Sequence, residues 1–299
     1  MKTRTYNNLL FFILFIIAIS AGLFFVGNMK LNEYSRLEKE REESIKISLE
    51  NLPILAKAVS VYNINKYKKI YGKNDEMIFP IASLAKILTV TQSLNTHKVD
   101  EIISVSPEAI DQAGDFGIFA NEKWNIDDIA RFTLIASAND GAYALAEGDE
   151  DFVNKLNMKA KKIGAENTLF INSTGLDLSL EEAGLPAQAG AFGTAFDINI
   201  MAMYALKARP EVFSVTTLPE INLTSVSGFE HNFENTNILI GKIPNLLFSK
   251  TGYTEIAGGN LVIIFKNERG EEIAVTLLGS TFEGRFQDME KIVNVLYDV

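Results

Sequence analysis

Ser83 and Lys86 are the residues of this 299-residue chain whose types and spacing point most directly to chemistry. They lie in F-P-I-A-S-L-A-K-I-L-T-V-T-Q-S-L, residues 79–94, where Leu84, Ile87, Leu88 and Leu94 recur at helical spacing with Thr91 between them. Pro80 precedes the turn, where a fixed φ and a missing N–H cost least. A helix starting near Ser83 stacks Ser83 and Lys86, three positions apart, on one face. It also leaves the serine beside unpaired backbone N–H groups at the positive end of the helix dipole. A hydroxyl, an amine one turn away and free amides are the parts of an acyl-transfer site. On this tetrapeptide alone, a serine cap with a surface lysine stays open as the alternative.

Composition narrows the choice of base. The chain has no cysteine, which excludes disulfides, thiolate chemistry and Cys-based metal sites. His97 and His231 are the only histidines, far apart and in no metal-ligand spacing. Neither a Ser-His-Asp triad nor zinc is expected, and Lys86 becomes the natural place to look for a base. A net charge of −10, with no basic patch able to track phosphates, speaks against nucleic acid as a partner. With 47% hydrophobic residues the chain can bury the core of one large domain or two small ones.

The elements that must position these residues follow from periodicity. Residues 58–63 and 67–71 read as two short strands joined by Ile64-Asn65-Lys66. After the Ser83 helix, residues 126–135 form another helix, with Asp127 and Asp128 in its first turn. A loop through Ala136-Ser137-Ala138-Asn139-Asp140 leads into a further helix capped by Asn139 or Asp140. Phe152, Val153, Leu156, Ala160 and Ile163 mark an amphipathic helix, and Thr194 with Asp197 resembles a capping box opening a helix that Pro210 ends. The period then changes. Residues 246–252, 260–266 and 272–280 are strand-like, the last two joined by a hairpin turn, and Phe286, Met289, Ile292, Val293 and Leu296 make a closing helix. The order predicts one α+β domain, an antiparallel sheet pairing N- and C-terminal pieces and flanked by helices, with a helical block inserted between.

Three short fragments fall on those elements in order: Ser83-Leu84-Ala85-Lys86 at a helix start, Ser137-Ala138-Asn139 in an inter-helix loop, and Lys250-Thr251-Gly252 on a strand. Singly they are weak, since a cap loop or an exposed strand lysine explains each. Together they resemble the S-x-x-K, S-D-N and K-T-G set of penicillin-binding proteins and class A β-lactamases. The likeness extends to L-I-A-S-A-N-D-G-A-Y-A-L-A-E, N-S-T-G-L, F-S-K-T-G-Y-T-E-I-A-G-G-N-L-V and G-S-T-F-E-G-R. Over residues 56–285 the chain resembles the serine-type D-alanyl-D-alanine carboxypeptidases, the low-molecular-mass penicillin-binding proteins. The implied fold is β-lactamase/transpeptidase-like. Many members carry a further C-terminal β domain and an amphipathic membrane helix, and the expectation here is that both are missing.

The resemblance assigns roles. Ser83 is the nucleophile on a peptidoglycan stem peptide ending in D-Ala-D-Ala, forming an acyl-enzyme that water cleaves. Lys86 takes the proton. A lysine of pKa ~10.4 holds its proton about three units above neutrality, so the free amine costs ~4 kcal/mol. Desolvation and repulsion from Lys250 are expected to lower that pKa. Ser137 relays a proton to the leaving nitrogen and Asn139 holds the substrate amide. Lys250 and Thr251 line a strand along which a peptide can lie by β-augmentation, and Gly252 leaves room for its backbone. The N–H groups of Ser83 and Tyr253 form the oxyanion hole. Arg285 matches the position of an arginine for the substrate carboxylate, suited to bidentate pairing, the alternative being a surface salt bridge at a helix start. β-Lactams are expected as covalent inhibitors, and no cofactor or metal is implied.

Residues 9–27 carry no charge and at ~1.5 Å per residue span ~29 Å, about one bilayer core. With Lys2 and Arg4 before them, residues 1–8 read as a cytoplasmic tail and 9–27 as an N-terminal transmembrane anchor. A cleaved signal peptide, with Ala18-Ile19-Ser20 as its site, is the rival, and the run continuing through Val26 favours the anchor. Residues 28–50, charge-dense and mixed in sign, read as a stalk, and 51–299 as the catalytic domain on the extracytoplasmic side. A DD-endopeptidase would use the same site. A class A β-lactamase needs a deacylating Glu in E-x-x-L-N, which Glu166-Asn167-Thr168-Leu169-Phe170 does not fit, so penicillin is expected to stay on Ser83. A catalytically silent peptidoglycan-binding protein is disfavoured by the intact Ser83, Lys86, Ser137, Asn139 and Lys250.

Overall fold

The computed structural model describes residues 2–98, 100–179 and 187–297. The chain divides into two units, Met1–Ser48 and Leu49–Val299. Helix α1 (Lys2–Glu50) carries the first. The stretch read as a membrane anchor is helical in its backbone, and most of its side chains lie outside the described residues. Among the described residues no helix is long and apolar enough to cross a membrane.

The second unit opens with β1 (Ala58–Asn63) and β2 (Lys68–Lys73), then β3 (Phe79–Pro80) and a 3₁₀ turn (Ala82–Ala85) that runs into α2 (Lys86–Thr96). A helical block follows: β4 (Ile102–Ser104), α3 (Pro107–Ile110), β5 (Lys123–Asn125), α4 (Ile126–Ile135), α5 (Asn139–Ala144) and α6 (Phe152–Ile163). After β6 (Leu169–Phe170) and β7 (Ala191–Gly193) come α7 (Ala195–Ala208) and α8 (Pro210–Phe213). The hairpin β8 (Glu220–Thr224) and β9 (Glu230–Glu234) leads to β10 (Leu246–Thr254), β11 (Gly258–Lys266), β12 (Glu272–Ser280) and the closing α9 (Gly284–Tyr297).

The main sheet is antiparallel with strand order β10-β11-β12-β1-β2, so the N-terminal hairpin pairs with the last strand of the chain, Ala58 opposite Leu278 and Val61 opposite Val275. This is the expected α+β architecture. Strands β11 and β12 are buried at successive positions, which means both faces of the sheet are covered. Their near-continuous apolar runs, N-L-V-I-I-F and I-A-V-T-L-L, are the sequence expression of that. The helical block, inserted in sequence between β2 and β10, joins the same core through aromatic side chains. Phe132 lies 4.1 Å from Phe233 of the β8–β9 hairpin and 6.2 Å from Trp124, ring centre to ring centre.

The structure corrects several local expectations. The helix at Ser83 begins as a 3₁₀ turn with Ile81 at its N-cap, so Ser83 is not a cap. Helix α5 is entered from Ala138, with no side-chain cap from Asn139 or Asp140, because the Asn139 amide is committed elsewhere. Tyr67 sits at φ 50° in the hairpin turn and β2 starts one residue later. The Thr194 capping bond forms as expected, its Oγ1 accepting from the Asp197 N–H at 3.0 Å.

One buried carboxylate locks the closing helix to the rest of the unit. Asp288, fully buried, accepts from the N–H groups of Leu55 and Ala56 at 3.0 Å and 2.8 Å and from Ser280 Oγ at 2.8 Å. It lies one turn after Arg285, so it also fixes where that arginine stands. Asp288→Ala leaves buried donors unmet and is expected to cost about 3 kcal/mol of unfolding free energy. Urea denaturation measures it, and a loss below about 1 kcal/mol would contradict the assignment.

Candidate active site

The 3₁₀ turn carrying Ser83 is wedged between β10 and the loop that follows β6. Ala82 is held at φ 48°, a region costly for any residue with a Cβ, and Ser137 at φ 59°. Two glycines make the wedge possible. A Cβ on Gly175, itself at φ +77°, would stand 2.1 Å from the Ala82 carbonyl oxygen. A Cβ on Gly252 would stand 3.0 Å from the Ile81 oxygen and 3.3 Å from the Ser83 nitrogen. The room at Gly252, expected for a substrate backbone, is therefore taken up by the protein's own nucleophile turn.

Lys86, the first residue of α2, is completely buried, which removes the surface-lysine reading. Its Nζ donates to Ser83 Oγ at 2.9 Å, Asn139 Oδ1 at 2.7 Å and the Thr174 carbonyl at 2.6 Å. Three acceptors saturate an ammonium. When the proton leaves, the neutral amine keeps two N–H bonds and turns its lone pair on the third neighbour. The Ser83 hydroxyl is the only one of the three that can then donate. Burial pushes the Lys86 pKa down to about 7, opposed by the charge of Asp140. Asp140, buried on α5, is in turn pushed up to about 6, chiefly by its own desolvation and against the pull of the Gly141 N–H and Lys86.

Lys250 lies buried on β10, its Nζ donating to Ser137 Oγ at 2.7 Å and to the Thr251 carbonyl at 2.9 Å. Burial lowers its pKa well below the usual lysine value, and the charges of Lys86 and Arg285 lower it further. Desolvation is the largest cause for both lysines, and the repulsion between them adds to it, as expected. Strand β10 is an edge strand of the sheet, as peptide addition alongside it requires. Thr251 Oγ1 sits 2.6 Å from Thr236 Oγ1, and Tyr253 is exposed.

Arg285, at the start of α9, is 5% exposed and is no surface salt bridge. Its Nη1 donates to the Gly252 carbonyl at 3.2 Å, and its guanidinium carbon packs 4.3 Å from the Phe282 ring centre and 4.6 Å from that of Phe286. Burial pushes its pKa down to about 10, which leaves it cationic at neutral pH. All nine residues singled out in the sequence therefore gather around one turn. The Thr174 carbonyl and Thr236 were not among them. A backbone acceptor leaves no signal in residue type, although Thr174 falls in the N-S-T-G-L fragment. Thr236 follows the surface hairpin β8–β9 and meets Thr251 only through the fold. The histidines lie apart, His97 against the Ser93 carbonyl and His231 against Glu122, and Glu166 is exposed before β6.

The chain is 29% identical over 252 residues to the D-alanyl-D-alanine carboxypeptidase DacF of Bacillus subtilis, covering 81% of this chain and 62% of that one. It is 30% identical over 215 residues to a D-alanyl-D-alanine endopeptidase of Pseudomonas aeruginosa, covering 67% of this chain and 63% of that one. It thus spans somewhat under two thirds of the length of these two relatives. Among solved structures it is similar to penicillin-binding protein D2 of Listeria monocytogenes in its ampicillin-bound form, at 30% identity and a TM-score of 0.66, covering 82% of this chain and 98% of that one. The Streptomyces K15 DD-transpeptidase shares the fold, with a TM-score of 0.73 at 22% identity over 83% of this chain and 99% of that one. A family model described as D-alanyl-D-alanine carboxypeptidase, peptidase S11, matches residues 45–281. With that match covering most of its length, the chain belongs to the S11 peptidase family, the D-alanyl-D-alanine carboxypeptidases.

Proposed function

We propose that this protein is a serine DD-carboxypeptidase that removes the terminal D-alanine from peptidoglycan stem peptides. The observation that carries the reading is a fully buried amine, its pKa drawn down to about 7, 2.9 Å from a serine hydroxyl. Ser83 Oγ attacks the carbonyl between the two D-alanines as its proton passes to Lys86. The N–H groups of Ser83 and Tyr253 receive the oxyanion. Ser137, hydrogen-bonded to Lys250, relays a proton to the departing amine and is reprotonated by the proton that Lys86 took, so that Lys86 is again the free amine. The C–N bond breaks to leave an ester on Ser83. Water then cleaves that ester and restores the hydroxyl. Asn139 holds the substrate amide, Thr251 and Gly252 line its path along β10, and Arg285 receives its free carboxylate.

The same geometry serves a cut within a cross-link, and relatives from Pseudomonas aeruginosa and Escherichia coli carry the name endopeptidase, so endopeptidase action is the second reading. β-Lactams are the expected covalent inhibitors, and the ampicillin-bound structure of the Listeria monocytogenes relative supports this. We also infer that residues 9–27 anchor the chain in a membrane with the catalytic unit on the extracytoplasmic side. The uncharged apolar run and the basic residues before it support that placement.

Release of free D-alanine from a peptide ending in D-Ala-D-Ala is the direct test, and Ser83→Ala is expected to abolish it. Persistence of release in that variant would remove Ser83 from the mechanism. The free amine of Lys86 is the reactive form, so the acylation rate is expected to climb as pH rises through about 7 and to level off above it. A rate still climbing steeply beyond pH 9 would mean an ordinary lysine and a different base. Arg285→Ala is expected to reduce action on the free-carboxylate peptide by 10²-fold or so while penicillin acylation falls far less. Equal losses in both would remove the carboxylate role.

A further inference from the structure

The Thr174 carbonyl makes the shortest of the three contacts around the Lys86 amine, and it belongs to a peptide unit gripped from both ends. A trans peptide points its C=O and its N–H in opposite directions. Lys86 Nζ donates to the carbonyl at 2.6 Å, and on the far side the Gly175 N–H donates to Asn172 Oδ1 at 2.7 Å. The rest of the Asn172 amide is committed to the same turn. Its Oδ1 also accepts from Thr174 Oγ1 at 3.2 Å, and its Nδ2 donates to the Leu176 carbonyl at 2.9 Å. These neighbours fix which end of the amide is which, since an N–H needs the oxygen and a carbonyl needs the nitrogen.

The grip answers a specific weakness. Gly175 stands at φ +77°, and a glycine there sets few limits on the rotation of the peptide plane before it. Turned over, that plane would present an N–H to the Lys86 amine in place of an oxygen. The surroundings make room for the asparagine that opposes this: a Cβ on Gly190 would stand 2.5 Å from Asn172 Nδ2. Thr89, three residues after Lys86 on α2, holds the preceding carbonyl, that of Ser173, at 2.7 Å. The turn is thus tied down on either side of the one plane that is free to rotate.

The consequence falls on Lys86. An acceptor on an ammonium stabilises its charged form. Once the amine is neutral, the N–H it keeps on this carbonyl helps aim the lone pair at Ser83. The charged groups in play are Asp140 from α5, itself facing Asp115, and Lys250 from β10, itself facing Arg285. The turn, N-S-T-G-L, carries no charge, so it acts on the amine through where one carbonyl points. We propose that Asn172 is a positioning residue that keeps the Thr174–Gly175 peptide from turning over, and by holding its carbonyl on Lys86 sets the pH range in which Ser83 is activated. The inference rests on the reading of Lys86 as the base and adds to it the group that fixes one of its three acceptors.

The test follows acylation by benzylpenicillin against pH in the full chain, in Asn172→Ala and in Asn172→Asp, with melting temperatures recorded for each. Asn172→Ala frees the plane, and the ammonium loses an acceptor. Its acylation midpoint is expected to move down by about one pH unit, and its plateau rate to fall about tenfold because the lone pair is no longer aimed. Asn172→Asp keeps an acceptor for the Gly175 N–H and adds a negative charge, so its midpoint is expected to move up. Wild-type midpoints in both variants, whether or not the rates fall, overturn the inference and leave the base assignment standing. If Asn172→Ala does not fold, Asn172→Asp decides alone, and a midpoint at or below that of the wild type overturns the inference. A wild type that penicillin does not acylate takes down both.

Discussion

Everything at this site depends on keeping one amine out of water. A solvated lysine beside Ser83 would hold its proton at neutral pH and could not take another. Lys86 is freed from that by burial, which disfavours its charged form, and it is held in place by three oxygen acceptors rather than by a carboxylate. A carboxylate in direct contact would have restored the proton. Asp140 is close enough to oppose the shift, and its own burial pushes its pKa up to about 6, which weakens its pull as the pH falls through that range. The amine is thus poised near neutrality by the fold as a whole.

The burial has structural consequences around the turn. To enclose Lys86 the chain must bring the 3₁₀ turn, strand β10 and the loop at Thr174 into backbone contact, which is why glycines stand at 175 and 252. It must also hold Ala82 and Ser137 in left-handed conformations. Such strain persists only where the surroundings over-determine it. Here they do, since β10 is fixed by its ladder to β11, Ile81 donates to the Ala191 carbonyl, and Asn139 spans from Lys86 to the Ala113 carbonyl. The second amine, on Lys250, adds repulsion that keeps both lysines from holding protons cheaply at once.

Much of this was legible in the chain before any coordinates. The long elements declared themselves through periodicity: β1, α4 and β12 fall on the residues their patterns indicated, because burial of one helix face or of whole strands writes itself into residue type. The catalytic fragments were legible because their chemistry needs particular side chains on particular elements. What stayed hidden was whatever the backbone does. Strand β8 alternates polar and apolar residues, but it is five residues long and lies largely at the surface. Its partner β9 carries one buried apolar side chain, Phe233, so the hairpin stood out little from a loop. Thr236 reaches Thr251 through a contact fifteen residues apart in sequence that no local pattern encodes. The Thr174 carbonyl belongs to the peptide unit common to every residue. The desolvation of Lys86 was foretold by its apolar flanks, while the opposing charge of Asp140, buried on α5, was not.

The central claim, that a buried neutral amine makes Ser83 a nucleophile, is tested most directly by locating the adduct formed with benzylpenicillin. Intact-mass and peptide-mapping spectrometry are expected to find one penicillin per chain, attached to Ser83, formed within minutes by the wild type and at least 10²-fold more slowly by Lys86→Ala. No adduct, an adduct on another residue, or equal rates in the two proteins would contradict the account.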